Sequence, residues 1–147
     1  MKSILAATVA LGLFSGLSAA IAADPPQVVR QEMMEQVGKA MGGLAKIAKG
    51  ENEYSADVVK ASLTTMAETM KSFPDQFPAG SETGHKTEAS PKIWENMDDF
   101  RAKSEKLRTD AEALLAQLPA DQAAVGAAVK QLGADCGSCH ETYRLKD

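Results

Sequence analysis

The 147-residue sequence holds 16 basic and 20 acidic side chains, a formal net charge of -4, with 44% hydrophobic and only 5% aromatic residues. That size suits one hydrophobic core rather than several. The acidic balance argues against nucleic acid or an anionic membrane as partner and points to basic groups on any charged partner.

The chain opens with Lys2, an apolar run from Ile4 to about Leu17, and Ala20-Ile21-Ala22, the small-x-small pattern that signal peptidase accepts. Residues 1–22 therefore read as a cleaved secretory leader, leaving 23–147 as one domain of 125 residues with 15 basic and 20 acidic side chains. An uncleaved anchor is the competing reading, but the apolar core is short for a spanning helix of about 20 residues. No later segment is apolar enough to cross a bilayer.

Pro25 and Pro26 suit a first helical turn, and apolar residues recur at Val29, Met33, Met34, Val37, Met41, Leu44 and Ile47 before Gly50 closes the helix. Ser55 or Asp57 can cap a second helix with Val58, Val59, Leu63, Met66, Met70 and Phe73 inward, ended by Pro74. Residues 74–90 lack either period and are rich in Pro, Gly, Ser and Thr, so they form a long loop of the kind that often serves function. Ser90-Pro91 opens a third helix with Ile93, Trp94, Met97, Phe100, Leu107, Leu114 and Leu118 inward, ending at Pro119. Asp121 caps a fourth, whose inner positions are Val125, Val129, Leu132, Cys136, His140 and Tyr143. With no strand pattern, the expected fold is all-α: an antiparallel up-and-down four-helix bundle.

Both cysteines lie in "CGSCH", Cys136 to His140. In a helix Cys136, Cys139 and His140 are i, i+3 and i+4 and project from one face. Two thioether bonds there would fix a haem, and His140 would reach its iron; C-x-x-C-H is the attachment signature of haem c. A dithiol oxidoreductase normally needs a strand–helix–strand setting that is absent. Zinc would need four ligands, and the one other histidine is His85 in the loop. A structural disulfide across two residues would close too small a loop to stabilise much.

These features resemble the class II c-type cytochromes, cytochrome c′ and cytochrome c556. The resemblance runs through "VVRQEMMEQ", "AKGE", "FPAGSETGHKTEASPKIWENMDDF" and "LGADCGSCHETYR", and so covers almost all of 23–147. It implies one covalent haem c near the C-terminus, held by Cys136 and Cys139 with His140 as proximal ligand. It also implies that Arg30 and Gln31 lie at the haem edge, where Arg30 would pair with a propionate, and that Thr87 and Glu88 cover the haem. Arg144 either packs beside the ring or is a solvated terminal arginine.

Met34 falls where this family faces the distal side of the iron. As a sixth ligand it would give a closed His/Met site suited to electron transfer; off the iron it would leave a five-coordinate site open to NO or CO. The resemblance thus implies a periplasmic carrier of single electrons between redox proteins, with gas binding as the alternative. No distal His or Arg acid–base pair stands near Met34, so no enzymatic activity is expected. Gly42 and Gly43 suit either close packing inside the bundle or the homodimer contact common among cytochromes c′.

Overall fold

The computed structural model describes residues 24 to 146, so the expected leader lies outside the described residues. α1 spans Pro26–Ala48. Its first free amides, Val28 and Val29, bond to the Pro25 carbonyl. Gly50 ends it at φ 73°, with the Gly50 and Glu51 amides donating back to Ile47 and Lys46 at 3.0 and 2.9 Å. That paired closure uses glycine's tolerance of positive φ.

α2, Ala56–Ser72, is capped by Ser55, whose hydroxyl accepts from the Val58 amide. Its inner stripe is Val59, Leu63, Met66, Ala67 and Met70. Val58, expected inward, is instead 43% exposed: adjacent helical residues diverge by about 100°, and Val59 takes the core position. At Pro74 the chain tightens into a 3₁₀ turn, Phe73–Gln76, and then runs irregularly to residue 91.

The expected third helix is two. α3 is a single turn, Lys92–Glu95, and α4 spans Met97–Ala116. Asn96 breaks them with φ -137° and ψ 51°, its side-chain amide donating to the Lys92 carbonyl, the local competition that disfavours asparagine inside helices. α4 stops before Pro119, which disfavours helical geometry in the residue preceding it. α5, Gln122–Tyr143, is capped by Asp121, which accepts from the Ala124 amide at 2.8 Å.

The four long helices close a ring in which α1 packs on α2, α2 on α4, α4 on α5 and α5 on α1. This is the expected up-and-down bundle. One core runs through it, from Leu44, Ile47, Val59, Leu63, Leu107, Ala111 and Val125 to Met66, Met70 and Phe100. Ser104 crosses it, donating to the Met70 carbonyl at 2.9 Å. A Cβ on Gly133 would meet Met41 at 3.5 Å, and one on Gly43 would meet Ser62 at 3.7 Å, so these glycines lie against neighbouring helices. Gly42 is exposed. No helix among the described residues is long and apolar enough to cross a membrane.

Candidate haem-binding site

The antiparallel ring brings three segments to one end: the start of α1, the loop after the 3₁₀ turn, and the last turns of α5. On α5, the half-buried side chains of Cys136 and Cys139 pack against the core and are not joined to each other. Burial, aided by Asp135, raises the Cys136 thiol, and burial pushes the Cys139 thiol up to about 11. Both shifts disfavour the thiolate that dithiol exchange uses. Gly137 and Ser138 between them are exposed, and a Cβ on Gly137 would meet nothing within 4 Å.

His140 does not take the inward position expected of it; it is exposed and lines an open groove of about 470 Å³ with Gly137, Glu141 and Arg144. At 100° per residue it stands about 80° around the helix from the buried Leu132, whereas Tyr143 returns to within about 20°. Tyr143 accordingly fills the core and donates its hydroxyl to Asp99 at 2.6 Å. Partial loss of hydration and the Arg144 charge lower the His140 pKa, favouring the neutral imidazole that binds metals.

On α1, Met33 and Met34 are both half-buried against the core. One turn earlier Arg30 is only 3% exposed. Its fork donates to the Ser81 carbonyl at 2.9 Å, the Thr87 hydroxyl at 2.6 Å and the Ser81 hydroxyl at 3.1 Å. Its guanidinium carbon lies 4.7 Å from the Phe77 ring centre and 5.5 Å from that of Trp94. Burial lowers the Arg30 pKa against the opposing pull of Glu82. The Nε donor is buried without a partner, which leaves this cation one donor for a further acceptor such as a propionate.

The remaining edge residues hold the loop. Gln31, exposed, donates to the His85 carbonyl at 2.9 Å. Gln27, which sequence reasoning missed, donates to the Thr83 carbonyl at 2.8 Å; the signal was its place with Arg30 and Gln31 at i, i+3 and i+4, a polar patch at the start of an apolar-striped helix. Glu88 takes Arg144 in an ion pair at 2.6 Å, so Arg144 is not merely solvated. An aromatic wall backs the site: Phe77 lies 5.7 Å from Trp94 and 4.7 Å from Phe100, and Phe100 lies 5.3 Å from Tyr143, all edge-on.

Among the described residues no group of three or more His, Cys, Asp or Glu is arranged to hold a metal ion. Two unlinked thiols and one exposed imidazole at the end of α5 suit a different group: a macrocycle that brings its own iron ligands and needs covalent anchors.

Comparison with known proteins agrees. A cytochrome C′ family profile matches residues 26–144. The chain is 54% identical over 147 residues to cytochrome c-556 of Agrobacterium fabrum, covering 99% of this chain and 97% of that one. It superposes on the solved cytochrome c′ from Rhodopseudomonas palustris with a TM-score of 0.80 at 34% identity, covering 85% of this chain and 99% of that one. A nitric oxide complex of a point mutant of cytochrome c prime from Alcaligenes xylosoxidans aligns with a TM-score of 0.71 at 27% identity, over 82% of this chain and 94% of that one. The chain therefore belongs to the cytochrome C′ family and is a c-type cytochrome, an electron carrier with covalently bound haem c.

Proposed function

We propose that Cys136 and Cys139 hold the haem through thioether bonds, that His140 and Met34 are the two axial ligands, and that the protein carries single electrons between exported redox partners. The observation that carries this reading is that the antiparallel ring brings the unlinked cysteine pair and the adjacent His140 near the end of α5 to the same end of the bundle as the start of α1, where Met34 is half-buried. Bound haem c supplies an iron that takes up and gives back one electron. The helix faces of Cys136 and Cys139 fix where that group sits. As a ligand together with His140, Met34 would raise the reduction potential, as thioether ligation does in cytochromes c. The Arg30 Nε, with no partner in the protein, is the donor available to a propionate. Residues 1–22 direct export, and the mature chain, 23–147, works in the periplasm.

The reading of Met34 as a ligand comes from the resemblance to the cytochrome c556 type, in which methionine fills this position; the relative that is 54% identical carries that name. The open arrangement draws on a different observation: Met34 is only half-buried, and a point mutant of a relative of the same fold has been solved with nitric oxide bound. The optical and electron paramagnetic resonance spectra of the oxidised protein, followed by carbon monoxide titration of the reduced form, separate them. A low-spin spectrum with a methionine-to-iron charge-transfer band and no CO uptake is expected. A high-spin spectrum with ready CO uptake would replace this reading with a five-coordinate binder of NO or CO.

A further inference from the structure

Residues 81–90 join the two helices that carry the candidate axial ligands. From α1, Gln27 and Gln31 donate to the carbonyls of Thr83 and His85, and Arg30 donates to Ser81 and to the Thr87 hydroxyl. From α5, the Leu145 amide just past its end donates to the Glu88 carbonyl at 2.8 Å, and the Tyr143 carbonyl accepts from the Ser90 amide at 2.9 Å. Ala89 and Arg144 form an antiparallel bridge there, and Arg144 pairs with the Glu88 carboxylate.

The change of partner falls between two adjacent residues. Side chains on neighbouring residues of an extended chain point to opposite faces; Thr87 meets Arg30 while Glu88 meets Arg144. Arg30 stands four positions before Met34 on α1, about 6 Å along the helix, and Arg144, the extended residue that follows the end of α5, stands four positions after His140. Just before the junction, His85 and Lys86 both hold positive φ, 48° and 53°. Non-glycine residues are disfavoured in that region and persist where their surroundings hold them. The Gln31 side chain on the His85 carbonyl is one such hold.

We propose that 81–90 is a tie between α1 and the end of α5, and that Thr87 and Glu88 are positioning residues that set how closely Met34 approaches the iron opposite His140. The inference rests on the His/Met reading above for its functional consequence. A thioether is a weak ligand, and a small displacement of α1 is enough to take it off the metal. Loosening either face of the tie releases the same displacement.

The test uses the haem-loaded protein with Thr87→Val, which removes the hydroxyl acceptor at similar volume, and Glu88→Ala, which breaks the ion pair. Each is expected to raise the CO association rate of the reduced protein by about tenfold, a coupling of ordinary size between two sites, and to shift the Met34 methyl resonance. Glu88→Gln keeps an oxygen for Arg144 and should fall between. Because the two contacts act in series, the double variant should exceed the larger single effect little. Unchanged CO rates in both single variants of a low-spin protein overturn the proposal. If the wild-type protein is itself high-spin, the methionine reading has failed separately, and amide exchange decides the tie. Faster exchange at Leu145 and Ser90 in Thr87→Val supports it, and unchanged exchange there sinks it.

Discussion

Replacing Arg30 by methionine is expected to destabilise the protein by about 3 kcal/mol, and the figure follows from what the guanidinium touches. Three hydrogen bonds of 3.1 Å or less leave it for Ser81 and Thr87; at about 1.5 kcal/mol each for a charged donor they total roughly 4–5 kcal/mol. The rings of Phe77 and Trp94 add about 1 kcal/mol as cation–π partners. Against this, methionine is spared the cost of keeping a cation almost out of water, worth about 2–3 kcal/mol of the return. The difference stays unfavourable because the carbonyl of Ser81, a residue 4% exposed, loses this donor, while its hydroxyl keeps only the Pro78 carbonyl. Guanidinium chloride unfolding of the haem-loaded protein would show a lower midpoint with an unchanged slope, and the melting temperature should fall by about 10 °C. Arg30→Lys keeps the charge without the planar fork and should lose an intermediate amount. A loss below about 1 kcal/mol for Arg30→Met would refute the reasoning, because the loop would then be held by something other than this side chain.

Cys139→Ala should leave haem attached through Cys136 alone, and with Cys136→Ala added all haem should become extractable by acid–acetone; covalent haem in the double variant would overturn the anchor assignment. Phe100→Ala, removing a ring 2% exposed that meets Phe73, Phe77 and Tyr143, should cost about 3–5 kcal/mol in denaturant unfolding, with a cost near that of a surface substitution as the refuting result. Burial and the Asp99 hydrogen bond push the Tyr143 hydroxyl up from 10.0 to about 12. Because the folded pKa is the higher, the stability this group contributes is whole below pH 10.0 and is lost as pH rises towards about 12. The difference in tyrosinate absorbance between wild type and Tyr143→Phe should therefore step near the upper value, and a step at the lower one would contradict the burial argument.

Much of the bundle was legible because its signals are local. The alternating three- and four-residue steps, the caps at Ser55 and Asp121 and the closing Gly50 each specify structure within a few residues of themselves. Val58 and His140 were misplaced for one shared reason: each sits at the margin of an apolar stripe, where spacing allows burial and a neighbour decides it. Val59 outcompeted the first and Tyr143 the second. The motif pointed to the proposed cofactor anchors from residue types and spacing, but not to how far the histidine faces outward. The break at Asn96 was unreadable because asparagine is tolerated in helices until a particular backbone contact competes. Least legible was the loop. Its partners lie 51 to 57 residues away in α1 and 56 in the Glu88–Arg144 pair, and no period in the sequence encodes contacts of that range.

The two sides of the site are held by different kinds of packing, which bears on how one fold can serve both an open and a closed iron. The end of α5 is set by rings: Tyr143 meets Phe100 edge-on, Phe100 meets Phe77, and Phe77 meets Phe73 and Trp94, drawing in α3, α4 and the 3₁₀ turn. Rigid side chains in fixed mutual orientations leave that helix little freedom. The start of α1 instead presents Met33 and Met34, unbranched and adaptable, and is steadied by hydrogen bonds from Gln27, Arg30 and Gln31 to a loop. In the His/Met reading the anchoring side is therefore the stiff one and the ligand-supplying side the adjustable one. Opening the iron would then require α1 to move against its loop and, through Arg30, against the Phe77 and Trp94 rings, with the cysteines left in place. Substitutions that change spin state should accordingly concentrate in the first turns of α1 and in residues 81–90, whereas substitutions in the aromatic wall should lower stability first.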